Sequence, residues 1–104
     1  MRLYNVLIVD DEPHVVGTIS ALLQCQSTWN LEVYSAYSGE EALVILNSTR
    51  IDVLITDMRM PVMDGLELIK ITHTIWPECK TILLTAYSDF EYAYEAIRIG
   101  IDAY

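Results

Sequence analysis

Positive charge is scarce in this chain. Six Lys and Arg stand against fifteen Asp and Glu, a formal net charge of −9. A domain so acidic is repelled at long range by nucleic acid and by anionic membrane surfaces, so basic partners and cations suit it better. Long apolar runs are also missing: no stretch approaches the roughly 18 residues of a membrane span. The opening Met1-Arg2-Leu3-Tyr4-Asn5 enters a strand-like run without a small-residue cleavage site, so a cytoplasmic location is expected. There are only two cysteines, Cys25 and Cys79, far apart and in no short metal or redox spacing, which favours ordinary reduced thiols. His14 and His73 lack acidic or Cys partners at ligand spacing and read as surface or helix-end residues. Linkers, repeats and low-complexity stretches are absent. With 104 residues, 53% of them hydrophobic, one core and a single domain over residues 1–104 are expected.

What the chain does contain is alternation. Tyr4 to Asp10 is apolar with little periodicity, as in a strand covered on both faces. After Asp11-Glu12-Pro13, the residues Val16, Ile19, Leu22 and Leu23 recur at helical spacing, with Pro13 tolerated in the first turn. Leu31–Ala36 reads as a second strand. Ser38 with Glu41 predicts a capping box opening a helix that carries Ala42, Leu43, Ile45 and Leu46. A third strand from Asp52 to Asp57 leads into a Pro- and Gly-punctuated loop. The helix that follows bears Leu66, Ile69, Thr72 and Ile75 and ends at Pro77. A fourth strand spans about Lys80 to Leu84, and Ser88-Asp89-Phe90-Glu91 predicts the cap of a fourth helix closed by Gly100. Strict alternation implies an α/β fold: a doubly wound parallel sheet with helices on both faces and right-handed crossovers. The chain stops at Ile101-Asp102-Ala103-Tyr104, where a fifth strand would begin, so a fifth strand and fifth helix are expected to be missing or truncated.

Three strands end on chemistry. Val6-Leu7-Ile8-Val9 stops on Asp10-Asp11, Val53-Leu54-Ile55-Thr56 on Asp57, and Ile82-Leu83-Leu84 on Thr85. In open α/β sheets, ligands bind beyond the carboxyl ends of the strands where strand order reverses. With the order two-one-three-four, Asp10, Asp11, Asp57 and Thr85 meet at that edge. Strands lie about 4.8 Å apart. Two full charges at roughly 5 Å repel by about 3 kcal/mol at an effective dielectric near 20. Either a raised pKa or a divalent cation relieves the cluster. Carboxylates, carbonyls and water suit Mg²⁺ or Mn²⁺ with positions left for phosphate oxygens. Such a site supports phosphoryl transfer, with Asp57 as nucleophile and the Thr85 hydroxyl donating to an equatorial oxygen. Taken singly, each residue has a plainer reading: Asp57 as a solvated strand end or helix cap, Thr85 as a common strand residue, and Asp10 to Glu12 as an acidic helix N-terminus. Their joint placement at one edge is what those readings leave unexplained.

These motifs resemble the receiver domains of two-component response regulators, over nearly the whole chain. Asp10-Asp11-Glu12-Pro13 is similar to the family's opening acidic motif, and Asp57 through Gly65 to its phosphoacceptor loop. Thr85-Ala86 matches its hydroxyl-plus-small pair, and Tyr104 its switch aromatic. The resemblance implies a flavodoxin-like receiver fold and phosphorylation of Asp57 by a sensor histidine kinase. It also implies Mg²⁺ held by Asp11, Asp57 and the Arg59 backbone carbonyl, with Asp10 acting through water. Thr85 and Tyr104 would move on activation, and the domain would assist its own phosphorylation and dephosphorylation without being a turnover enzyme. Tyr87 through Ala93 is similar to receivers attached to AraC-type helix-turn-helix output domains, which implies transcriptional control through a DNA-binding domain not present in these residues. Tyr92, Tyr94, Glu95 and Arg98 would form either a homodimer face or a solvated helix face. One departure stands out: the family's Lys would fall beyond Tyr104, and neither Lys70 nor Lys80 occupies its place. Two rival functions remain, an aspartyl-phosphate type phosphatase and a pseudo-receiver that keeps the fold as a protein-binding module. Arg59, two places after Asp57, departs from the phosphatase pattern, which has a second Asp there.

Overall fold

The computed structural model describes residues 2–84. Four strands and three helices alternate along them: β1 (Leu3–Val9), α1 (Pro13–Cys25), β2 (Asn30–Ala36), α2 (Gly39–Ser48), β3 (Val53–Asp57), α3 (Gly65–Ile75) and β4 (Lys80–Leu84). All pairings are parallel, in the order β2-β1-β3-β4. Order reverses at β1, as expected from the alternation. The expected fourth helix and its dimer face lie outside the described residues, as does the segment where a missing or truncated fifth strand was expected.

Strand parity divides the core. Leu7 and Val9 of β1, Leu54 of β3 and Leu83 of β4 point to one face, where they meet Ala42 and Leu46 of α2 and Leu68 and Ile69 of α3. Val6 and Ile8 point to the other and pack with Val16 of α1 and Ile55 of β3. Residues Val6 through Val9 are all buried. This explains why β1 reads as a continuous apolar run: side chains alternate between two faces that are both covered. The α1 side is less completely covered. Beside α1 lies an apolar trough of about 400 Å³ whose lining includes Leu23, Val53, Ile55 and Ile82. Among the described residues, β4 is an edge strand.

Helix ends follow local chemistry. Pro13 occupies the first turn of α1, where its absent N–H costs nothing. The Ser38 side chain caps α2 by accepting from the Glu41 N–H at 3.1 Å. The reciprocal bond differs from the expected capping box. Glu41 Oε1 accepts from the Tyr37 N–H at 3.0 Å, one residue earlier than the capping residue itself. Asp64 caps α3 through the Glu67 N–H at 2.9 Å. The indole N–H of Trp76 donates to the Leu46 carbonyl at 2.8 Å and ties the C-terminal ends of α2 and α3 together. At the opposite end of the sheet from the acidic strand termini, Asp52 accepts from the Asn5 N–H at 2.8 Å and from Arg2 at 3.1 Å. Cys79 is buried and Cys25 is exposed, so only one of the two thiols follows the burial typical of free cysteine.

Candidate functional site

Register places the site. Val9 pairs with Thr56 across β1 and β3, so Asp10 and Asp57 leave adjacent strands at the same level. Asp57 in turn pairs with Leu84, the last residue of β4. One carboxylate oxygen each from Asp10, Asp11 and Asp57 lie within 4.8 Å of one another. Asp10 is buried, Asp57 half-buried and Asp11 exposed, so the cluster opens to solvent on one side. The three acids thus gather where the alternation predicted. Arg59, an exposed residue in the loop after Asp57, lines a shallow cavity of about 380 Å³ with Met58, Met60, Pro61 and Asp64. Thr85 and Tyr104 lie outside the described residues.

The electrostatics carry the cost of this crowding. Burial, then the charge of Asp10, pushes Asp57 up from 3.8 to about 6; the Met58 backbone N–H pulls the other way, and Asp11 and Glu12 add smaller repulsions. Asp10 is also raised, first by burial and further by Asp11 and Glu12. A hydrogen bond from the Glu12 N–H to Asp10 Oδ1, at 2.9 Å, opposes that shift. This bond forms an Asx-type turn that closes the β1–α1 loop. Glu12 occupies the cap position of α1 without a side-chain bond, and no acid lies in the first turn. The acidic run Asp10 to Glu12 thus lies just before the helix without a side-chain cap, at an end where the macrodipole favours negative charge. A pair of carboxylates held neutral or repelling at the end of a rigid sheet fits a divalent cation, which reverses the local electrostatics.

Gly65 sets how closely the loop returns to the strand. A Cβ there would stand 2.2 Å from the Asp57 carbonyl oxygen, and the Gly65 N–H donates to the Met58 carbonyl at 2.8 Å. The start of α3 is thereby pressed against the backbone of Asp57. In the sequence Gly65 is legible only as loop punctuation, and Asp64 as a cap is an addition of the structure. The Asp64–Glu67 spacing, an acidic residue three before a Glu, was the available signal.

Comparison with known proteins agrees with this geometry. Residues 6–104 match the family model of the response regulator receiver domain. The chain belongs to that family. The receiver domain is 33% identical over 102 residues to the transcriptional regulatory protein YesN of Bacillus subtilis, covering 98% of this chain and 28% of that protein. Among solved structures, the receiver domain of AraT, a response regulator from Geobacillus stearothermophilus, shares 42% identity at a TM-score of 0.79, covering 99% of this chain and 80% of that one. A two-component transcriptional regulator AraC from Clostridium phytofermentans shares 32% identity at a TM-score of 0.80, covering 96% and 77%. The fold is the flavodoxin-like receiver fold, and the chain is a receiver domain of the two-component response regulators. It spans little more than a quarter of the length of YesN. No helix among the described residues is long and apolar enough to cross a membrane.

Proposed function

We propose that this receiver domain is the phosphoacceptor switch of a response regulator, receiving a phosphoryl group on Asp57 from the phosphohistidine of a sensor histidine kinase. The observation that carries this reading is the convergence of Asp10, Asp11 and Asp57 within 4.8 Å at the switch point of the sheet. Asp57 attacks phosphorus in line. An aspartyl O–P bond forms as the N–P bond to the donor imidazole breaks, and the departing imidazole nitrogen takes a proton from solvent. With its pKa at about 6, the Asp57 carboxylate is mostly ionised and nucleophilic at neutral pH.

The Asp11 and Asp57 carboxylates suit Mg²⁺, or Mn²⁺, as ligands, and the family resemblance adds the Arg59 carbonyl, with Asp10 acting through water. Bound there, the cation supplies neutralisation of charge on the equatorial phosphoryl oxygens. The protein's part is to hold the acids on rigid strand ends, so that little reorganisation accompanies transfer. Thr85 then donates to a phosphoryl oxygen, and Tyr104 turns inward as the switch aromatic, biasing two states of the C-terminal face. The single domain, residues 1–104, passes this change to a DNA-binding output domain of AraC type, and so controls transcription from the cytoplasm. The regulatory names of the relatives support that step.

Acetyl phosphate with millimolar Mg²⁺, followed by intact mass, tests the proposal. One stable phosphoryl group per chain, absent from Asp57→Asn, is expected. Continuous turnover of phosphomonoesters would instead favour the phosphatase reading, and no incorporation would favour a binding module without the chemistry.

A further inference from the structure

In the middle of the loop after Asp57 the chain adopts a costly shape. Val62 has φ 71, a left-handed conformation that a β-branched side chain strongly disfavours. A hydrogen bond from the Met63 N–H to the Pro61 carbonyl, at 2.8 Å, closes a γ-turn of the strained kind around it. Strain of this sort persists only where the surroundings impose it. Val62 itself supplies no anchor, being 89% exposed. The anchors are the methionines on either side. Met60 is buried, and Met63 packs against the core beneath α2 and α3.

Met63 sits in a socket built by Gly39. A Cβ on Gly39 would lie 2.7 Å from Met63 Sδ, 2.8 Å from its Cβ and 3.0 Å from its Cγ. Gly39 is the buried first residue of α2, and its φ lies outside the positive range, so its backbone does not require glycine. In the absence of Met63, alanine there would stabilise the helix. What glycine provides is the space for a side chain from another loop.

We infer that Gly39 is a positioning residue: by seating Met63, it fixes the strained β3–α3 turn and so the backbone of Arg59. This rests on the reading of the acidic cluster as a Mg²⁺ site and names the contact that shapes one side of it. The loop runs from Asp57 to Gly65, bonded to itself at its two ends through Gly65 N–H and Met58 O and held in its middle by Met60 and Met63. Releasing Met63 lets the γ-turn relax, and the carbonyl two residues after Asp57 loses its fixed direction.

The experiment compares the parent chain, Gly39→Ala, Met63→Ala and the double variant, by hydrogen exchange of the Met63 and Gly65 amides without metal and by calorimetric titration with Mg²⁺. Gly39→Ala is expected to speed exchange at both amides and to weaken Mg²⁺ binding by about tenfold, as removal of an orienting contact does at metal sites. In the Met63→Ala background, the same substitution should change neither quantity, because the steric partner is gone. Parent-like exchange and affinity in Gly39→Ala overturn the inference. So does an equal loss in both backgrounds, which would show that the effect does not pass through Met63. A parent chain that binds no Mg²⁺ overturns the reading of the cluster and the inference with it; a parent that binds, with Gly39→Ala indistinguishable from it, overturns the inference alone.

Discussion

Replacing Asp57 with Asn should make the metal-free receiver domain more stable, although it removes the proposed phosphoacceptor. In the folded chain, Asp57 is shifted from 3.8 to about 6, chiefly by burial and by Asp10. The folded state therefore holds the proton to higher pH than the unfolded state does. Whatever stability this group contributes is complete below about pH 3.8 and lost as pH rises through about 6. At neutral pH the ionised carboxylate is a net burden. A tenfold change in proton affinity is worth about 1.4 kcal/mol, which sets a ceiling of about 3 kcal/mol. Asp57 is half-buried and water reaches the cluster, so screening reduces this to about 1–2 kcal/mol. For a domain of this size that is a rise of about 5–9 °C in melting temperature. Thermal melting in chelator at pH 7 measures the gain. The same melts at pH 4, 5 and 6 should show a flatter pH dependence for the variant than for the parent across that window. An Asn variant that melts at or below the parent temperature at pH 7, with an unchanged pH slope, would refute the claim that the cluster repels itself.

Other substitutions probe the same architecture. Millimolar Mg²⁺ should raise the melting temperature of the parent at pH 7, and Asp11→Asn should remove most of that gain, as read by paired melts with and without the cation. Gly65→Ala should destabilise by about 3 kcal/mol or more, because the new Cβ would meet the Asp57 carbonyl oxygen; urea denaturation measures it, and a neutral result would mean that α3 can slide. Val62→Asn should stabilise by about 1 kcal/mol in the same assay, since Asn tolerates the left-handed region better and the replaced side chain is exposed.

The sheet was readable from sequence because both of its faces are covered. The run Val6 to Val9 has no alternation when each side chain enters one of two cores, and the periodic stretches between such runs can only be crossover helices. The site followed from the same logic, since parallel strands in the order two-one-three-four bring their terminal acids to one edge whatever the intervening residues. Less legible were the contacts that depend on three-dimensional approach. The need for Gly65 comes from the return of the loop to Asp57, and the need for Gly39 from Met63, which is distant in sequence; neither is encoded by local propensity. The capping arrangement of α2 was recognisable from Ser38 and Glu41, but the carboxylate reaches Tyr37 because the chain enters the helix extended through Ser38. The role given to Thr85 rests on strand order together with motif resemblance and that of Tyr104 on motif resemblance; both residues lie outside the described ones.

The identity of the atom that accepts the phosphoryl group is the most direct test. After acetyl phosphate treatment with Mg²⁺, borohydride reduction converts an aspartyl phosphate to homoserine, and peptide mass spectrometry locates it. Homoserine at position 57 alone, formed with Mg²⁺ and absent in chelator, is the predicted result. Homoserine at position 11 or 10, or at none, would contradict it.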